Sequence, residues 1–111
     1  MRNIDSLKKT PEFDRVYKVR CSKADRFLVM YQAEGTGRIG IVVSKKVGNS
    51  VIRHRITRLI REAYRLNRDK VPEDRDIIIV AREAAKEQGF TVIEQSFLGL
   101  LERHAIQGMK N

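Results

Sequence analysis

Apolar residues recur along this chain with two periods. Phe13, Val16 and Tyr17 fall on one face at helical spacing. Thr10-Pro11 just ahead of them predicts a helix start, a capping hydroxyl followed by proline at the first helical position. Over RFLVMYQ, residues 26–32, the period drops to two. Phe27, Val29 and Tyr31 would share one side of a strand, and Leu28 and Met30 the other. AEGTG predicts a turn, and RIGIVVS, residues 38–44, a second strand. Residues 18–25 leave room for one more short strand, with too weak a pattern to place it. KVGNS predicts a loop with two possible caps, Asn49 and Ser50, before a helix over about 51–66.

On that helix Ile52, Ile56, Leu59, Ile60, Ala63 and Leu66 lie within an arc of about 120°, a core-facing stripe. LNRDKVPEDR, with Pro72 inside it, ends the helix. DIIIVAR predicts a strand buried on both faces. TVIEQSFLGLLERHAI begins with Thr-x-x-Glu, which predicts a capping box of Thr91 and Glu94. Its Ile93, Phe97, Leu100 and Leu101 recur at helical spacing. The order of elements predicts an α+β fold: one domain spanning 1–111, a small mixed sheet and three helices packed on it. No repeat or linker divides the chain.

Composition adds a charge. Lys and Arg number 23 against 14 Asp and Glu, for a net +9, which points to an anionic partner. Between residues 45 and 70 stand nine basic side chains and two acidic ones, so this segment holds +7 of the +9. His54, Arg58, Arg61 and Arg65 lie opposite the apolar stripe, with Arg53 and Arg55 on its flanks. A solvated helix face would alternate signs. Segregated arginine suits bidentate contact with phosphate. The single cysteine, Cys21, excludes an internal disulfide. No run of about 18 apolar residues and no signal-peptide core occurs, so no membrane role and a cytoplasmic location are expected.

The stretch RIGIVVSKKVGNSVIRHRITRLIREAYR resembles the signature of the protein component of bacterial ribonuclease P. The resemblance rests on Ser44, Lys45, Lys46, Gly48 and Asn49, then Arg53-His54-Arg55, then Arg58-Leu59-Ile60-Arg61. It runs back to LKKTPEFDRVYK and forward to DIIIVAR, and so covers most of the chain. Two positions depart from the family pattern: His54 stands where asparagine is usual, and Thr57 where lysine is usual. Histidine still offers a hydrogen-bond donor, whereas threonine has lost the charge.

The resemblance implies a subunit that assists a catalytic RNA in removing the 5′ leader from precursor tRNA. It implies that the RNA holds the Mg²⁺ ions, with no cofactor bound tightly by the protein and no catalytic residue in it. Lys45, Lys46, Asn49, Arg53, His54, Arg55, Arg58, Arg61 and Arg65 would contact RNA. Phe13, Tyr17 and Tyr31 would line a cleft for the single-stranded leader, where aromatic faces stack on bases without reading sequence. It also implies a left-handed βαβ crossover, against the general right-handed rule.

Other readings carry less. A structural RNA-binding protein of ribosomal type would share the basic surface without an attached reaction. A DNA-binding regulator lacks the base-reading Asn or Gln on the outer helix face, so no DNA partner is expected. GTGRIG matches G-x-G-x-x-G but leads into a strand rather than a helix, so it reads as a hairpin turn and not a dinucleotide loop. Cys21, His54 and His104 lack metal-ligand spacing, and Glu73, Asp74 and Asp76 read as a solvated acidic loop.

Overall fold

The computed structural model describes residues 6–7 and 10–109; Lys8 and Lys9, part of the stretch that resembles the family's first helix, lie outside them. Its elements are α1 (Thr10–Val19), β1 (Ser22–Ala24), β2 (Leu28–Glu34), β3 (Ile39–Val42), α2 (Ser50–Leu66), β4 (Arg75–Ala81) and α3 (Phe90–Met109). Short 3-10 turns follow α2 at Arg68–Lys70 and β4 at Glu83–Glu87. The α+β reading holds, and the open question at residues 18–25 resolves as β1.

One mixed sheet runs in the order β1-β2-β4-β3. β2 is antiparallel to β1 and to β4, and β3 is parallel to β4. β3, α2 and β4 therefore form the expected βαβ unit. The hairpin expected at 33–37 does not form, because β4 lies between β2 and β3. The connection instead crosses the start of β4, where the Gly35 N–H donates to Asp74 O at 2.9 Å. A side chain on Gly35 would run into the Asp76 carboxylate, and Gly37 adopts φ 85°, which glycine accepts without strain. The outer edge of β3 is partly covered by Ser6 and Leu7, whose N–H donates to Ile39 O at 2.8 Å.

Strand alternation divides the core in two. Leu28, Met30, Ile39, Ile77 and Ile79 face α2 and α3, where Ile56, Ile60, Ile93, Phe97 and Leu100 are fully buried. Ala33 and Ile78 face the other way, toward Leu7 and Val16 beside α1. Full burial of a side chain of this size contributes about 1.5–3 kcal/mol, so the α2–α3 face holds most of the folding energy. Three details differ from the sequence reading. Phe27 precedes β2 and packs against the α2–α3 core rather than beside Tyr31, because the strand starts two residues later, at Leu28. Leu66 is 52% exposed at the end of α2, and Tyr64, off the expected stripe, is 1% exposed. Tyr64 reaches inward because its hydroxyl donates to Gly37 O at 3.1 Å and its ring meets Phe97 edge-on at 6.4 Å. The capping box also fails. Thr91 lies inside α3, and Glu94 instead accepts from Asn67 Nδ2 at 2.9 Å.

Candidate nucleic-acid interface

The charged surface begins at the loop after β3. Lys45 and Lys46 are exposed there. Asn49 then caps α2, accepting from the Ile52 N–H at 3.0 Å. Its carbonyl oxygen is thus committed to the helix, leaving its amide N–H₂ for an outside partner. Burial of Ile56, Ile60 and Ala63 fixes the rotation of the helix and turns His54, Arg58, Arg61 and Arg65 outward. The arginines then diverge in role. Arg53 donates through Nε to Gly48 O at 3.2 Å and holds the loop. Arg55 donates to Gln88 O at 2.9 Å and to Lys86 O, tying α2 to the turn before α3. Arg65 pairs with Glu62 one turn back. His54, Arg58 and Arg61 are exposed and make no ion pair among the described residues. Thr57, one of the two departures from the family pattern, turns its hydroxyl back onto Arg53 O at 2.9 Å.

The aromatic groove lies on the opposite face of the sheet. Register builds it in rows across β2, β4 and β3. Val29, Val80 and Val42 form one row, Tyr31, Ile78 and Gly40 the next, and Ala33 and Asp76 the third. α1 crosses over the second and third rows. Gly40 permits this, since a Cβ there would come within 2.5 Å of the Phe13 ring. Phe13, Tyr17, Tyr31, Val42 and Val80 are all half-buried around the fully buried Val16 and Ile78. Tyr17 and Tyr31 meet edge-to-face at 4.8 Å and 88°. Burial, then the neighbouring Tyr31 and Asp14, push the Tyr17 hydroxyl above its ordinary range, so it remains a neutral donor. The three expected cleft residues therefore come together around one buried cluster.

Asp76 is not a solvated loop residue. It is fully buried and accepts from the N–H groups of Thr36 (3.1 Å) and Arg38 (2.9 Å), from Arg38 Nη2 (3.1 Å) and from Arg15. Burial pushes its carboxyl up, but the backbone donors and the Arg38 guanidinium outweigh that and hold it below the usual range. Its position at the start of a buried strand gave no sign of this, because both arginines are distant in sequence. A second feature missed from sequence is a groove of about 540 Å³ beyond the ends of β3 and β4, lined in part by Arg26, Ser44, Lys46 and Arg82. Its location past the carboxyl ends of two parallel strands, where ligands commonly bind, was the available signal. Among the described residues no group of three or more His, Cys, Asp or Glu side chains is placed to hold a metal ion, and no helix is long and apolar enough to cross a membrane.

A small α+β domain with an arginine helix on one face of its sheet and a half-open aromatic groove on the other presents the cationic and aromatic surfaces that RNA-binding proteins use. A family model described as ribonuclease P matches residues 1–105, and the chain belongs to that family, whose members are protein subunits of a ribonucleoprotein endoribonuclease. It is similar to the ribonuclease P protein component of Alkaliphilus oremlandii, 44% identical over 106 residues and covering 93% of each chain. It is 47% identical over 105 residues to that of Lachnoclostridium phytofermentans, covering 92% of this chain and 90% of the other. Among solved structures, the RNase P protein of Staphylococcus aureus superposes with a TM-score of 0.80 at 36% identity, covering 90% of this chain and 94% of that one. That of Thermotoga maritima gives 0.81 at 25% identity, covering 89% and 96%.

Proposed function

We propose that this protein holds the catalytic RNA of ribonuclease P with the outer face of α2 and the 5′ leader of precursor tRNA in the groove beside α1. The observation that carries the reading is the placement of the two surfaces on opposite faces of one sheet, so both RNAs can be bound at once. Lys45, Lys46, His54, Arg58 and Arg61 offer charge and donors to the RNA subunit. Tyr17, Tyr31 and the valine row offer flat apolar surface to unpaired bases, and Arg26 and Arg82 flank the sheet end where the backbone would leave. The protein supplies binding and orientation. Mg²⁺ is held mainly by the RNA, which performs the phosphodiester hydrolysis, and the site of action is cytoplasmic. A ribosomal-type structural role would need only the arginine helix and leaves the groove unexplained.

The test is cleavage of precursor tRNA at low Mg²⁺ by a bacterial ribonuclease P RNA, with and without this chain. Cleavage should rise with the protein and leave a mature 5′ end, while protein freed of RNA cleaves nothing. Equal cleavage in both arms would overturn the proposal.

A further inference from the structure

The contacts that hold α1 against the sheet are charged at one end and apolar at the other. Asp76 and Arg38 lie at the start of β4 and just before β3, in the third row of the sheet. Arg15 reaches from α1 to the Asp76 carboxylate, and its second amino group donates to Glu34 O at 2.6 Å. One turn earlier on the same helix, Glu12 pairs with Arg38. Two side chains of α1 thus grip the same end of the sheet. Toward its other end α1 packs through the buried Val16 and through Tyr17 against Tyr31, and beyond them the row Val29–Val80–Val42 stands half-open.

From this geometry we infer that Arg15 and Asp76 are positioning residues for the leader groove, acting through the Tyr17–Tyr31 contact rather than by touching RNA. The inference rests on the groove reading above. The charged grip sets the angle at which α1 lies across its buried Val16 contact, and that angle sets the width at Tyr17. Asp76 suits this role because it has no freedom of its own. It is fully buried and takes two backbone N–H groups, so its carboxylate points one way. Arg15 is the accessible partner, with its side chain 43% exposed, so replacing it leaves the buried hydrogen bonds of Asp76 to Thr36 and Arg38 in place.

The experiment uses the holoenzyme with Arg15→Gln, Arg15→Lys, Tyr17→Ala and the Arg15→Gln/Tyr17→Ala double variant. Affinities are measured for a precursor tRNA with a leader of several nucleotides and for mature tRNA, over a range of salt. Arg15→Gln should weaken precursor binding roughly three- to tenfold and leave mature tRNA unchanged, Arg15→Lys should recover part of the loss, and the double variant should be no weaker than Tyr17→Ala alone. The slope of log affinity against log salt should stay as in the parent protein. In the free full chain, the ring-current shifts of Tyr17 and Tyr31 should diminish in Arg15→Gln. A slope reduced by about 0.7 would mean that Arg15 binds a phosphate itself, and overturns the inference. Additive losses in the double variant, or a silent Arg15→Gln beside a precursor-selective Tyr17→Ala, overturn it while sparing the groove. A Tyr17→Ala with equal effect on precursor and mature tRNA removes the groove and the inference together.

Discussion

Arg55 and Arg58 stand three positions apart on α2 and meet different partners. Arg55 bonds two backbone carbonyls, and Arg58 faces outward without an ion pair among the described residues. Their substitutions should therefore separate. Arg58→Ala and Arg61→Ala should each lower the slope of log affinity for ribonuclease P RNA against log salt by about one unit, with folding stability changed by less than about 0.5 kcal/mol. Arg55→Ala should instead lower stability by about 1–3 kcal/mol in urea denaturation, the net worth of the two lost hydrogen bonds. His104 is the other residue whose surroundings set its behaviour. Its Nε2 lies 3.0 Å from Met30 O, which fixes the proton there and leaves Nδ1 to accept from the Cys21 thiol at 3.8 Å. Burial first, and then the cations of Lys23, Arg75 and Arg103, lower its pKa against the opposing pull of Met30 O. As pH falls through about 6.5 the unfolded chain takes up this proton before the folded one does. Stability should be full above that pH and decline below it, by at most about 1.4 kcal/mol per pH unit. Urea midpoints at pH 7.5, 6 and 5 check this, and the decline should be shallower in His104→Gln.

α2 is positioned by its N-cap and by one inward tyrosine. Asn49→Ala should cost about 1 kcal/mol of stability, since it frees the Ile52 N–H at the first turn. Tyr64→Phe should cost about 0.5–1.5 kcal/mol, by releasing the bond to Gly37 O that joins α2 to the strand connection. Chemical denaturation of both variants measures these losses. Unchanged midpoints would show that packing alone holds the helix. The same pair shows what periodicity could reach. Two possible caps, Asn49 and Ser50, before a repeating apolar stripe marked the helix start, and the structure gives the cap to Asn49. Tyr64 lay outside that stripe, and only the loop crossing β4 and Phe97 beneath it supply its place. At α3 a local motif misled, because Asn67, distant in sequence, took the Glu94 carboxylate that a capping box needs.

At the scale of the molecule, the sheet separates two RNA surfaces, so a change on one should leave the other intact. Tyr17→Ala or Tyr31→Ala in the holoenzyme should weaken binding of precursor tRNA by about 1–3 kcal/mol, the worth of a stacked base. Affinity for mature tRNA and for the RNA subunit should hold. The loss should vanish when the leader is trimmed to one nucleotide. Equilibrium binding to the three tRNA forms decides it, with thermal unfolding alongside to detect any loss of fold. Equal weakening for mature and precursor tRNA would return both rings to the core.

What this sequence determined by itself was local or periodic. The alternation in β2, the unbroken run of β4 and the apolar stripe of α2 each depend on neighbours a few residues away, and each element forms as its pattern indicates, with shifts at the ends of β2 and α2. The outward row of His54, Arg58 and Arg61 follows from the same stripe, since burying one face of a helix exposes the other. What tertiary structure decided depended on pairs far apart in the chain. β4 entered between β2 and β3 and replaced a hairpin with a crossing, because the parallel β3–β4 pairing takes the edge that a hairpin would use. That insertion placed Asp76 beneath Arg15 and Arg38 and turned a residue read as a solvated acid into the buried end of the clamp on α1. It also set Tyr31 beside Tyr17, fourteen positions earlier, so the two rings share one groove wall through register rather than spacing.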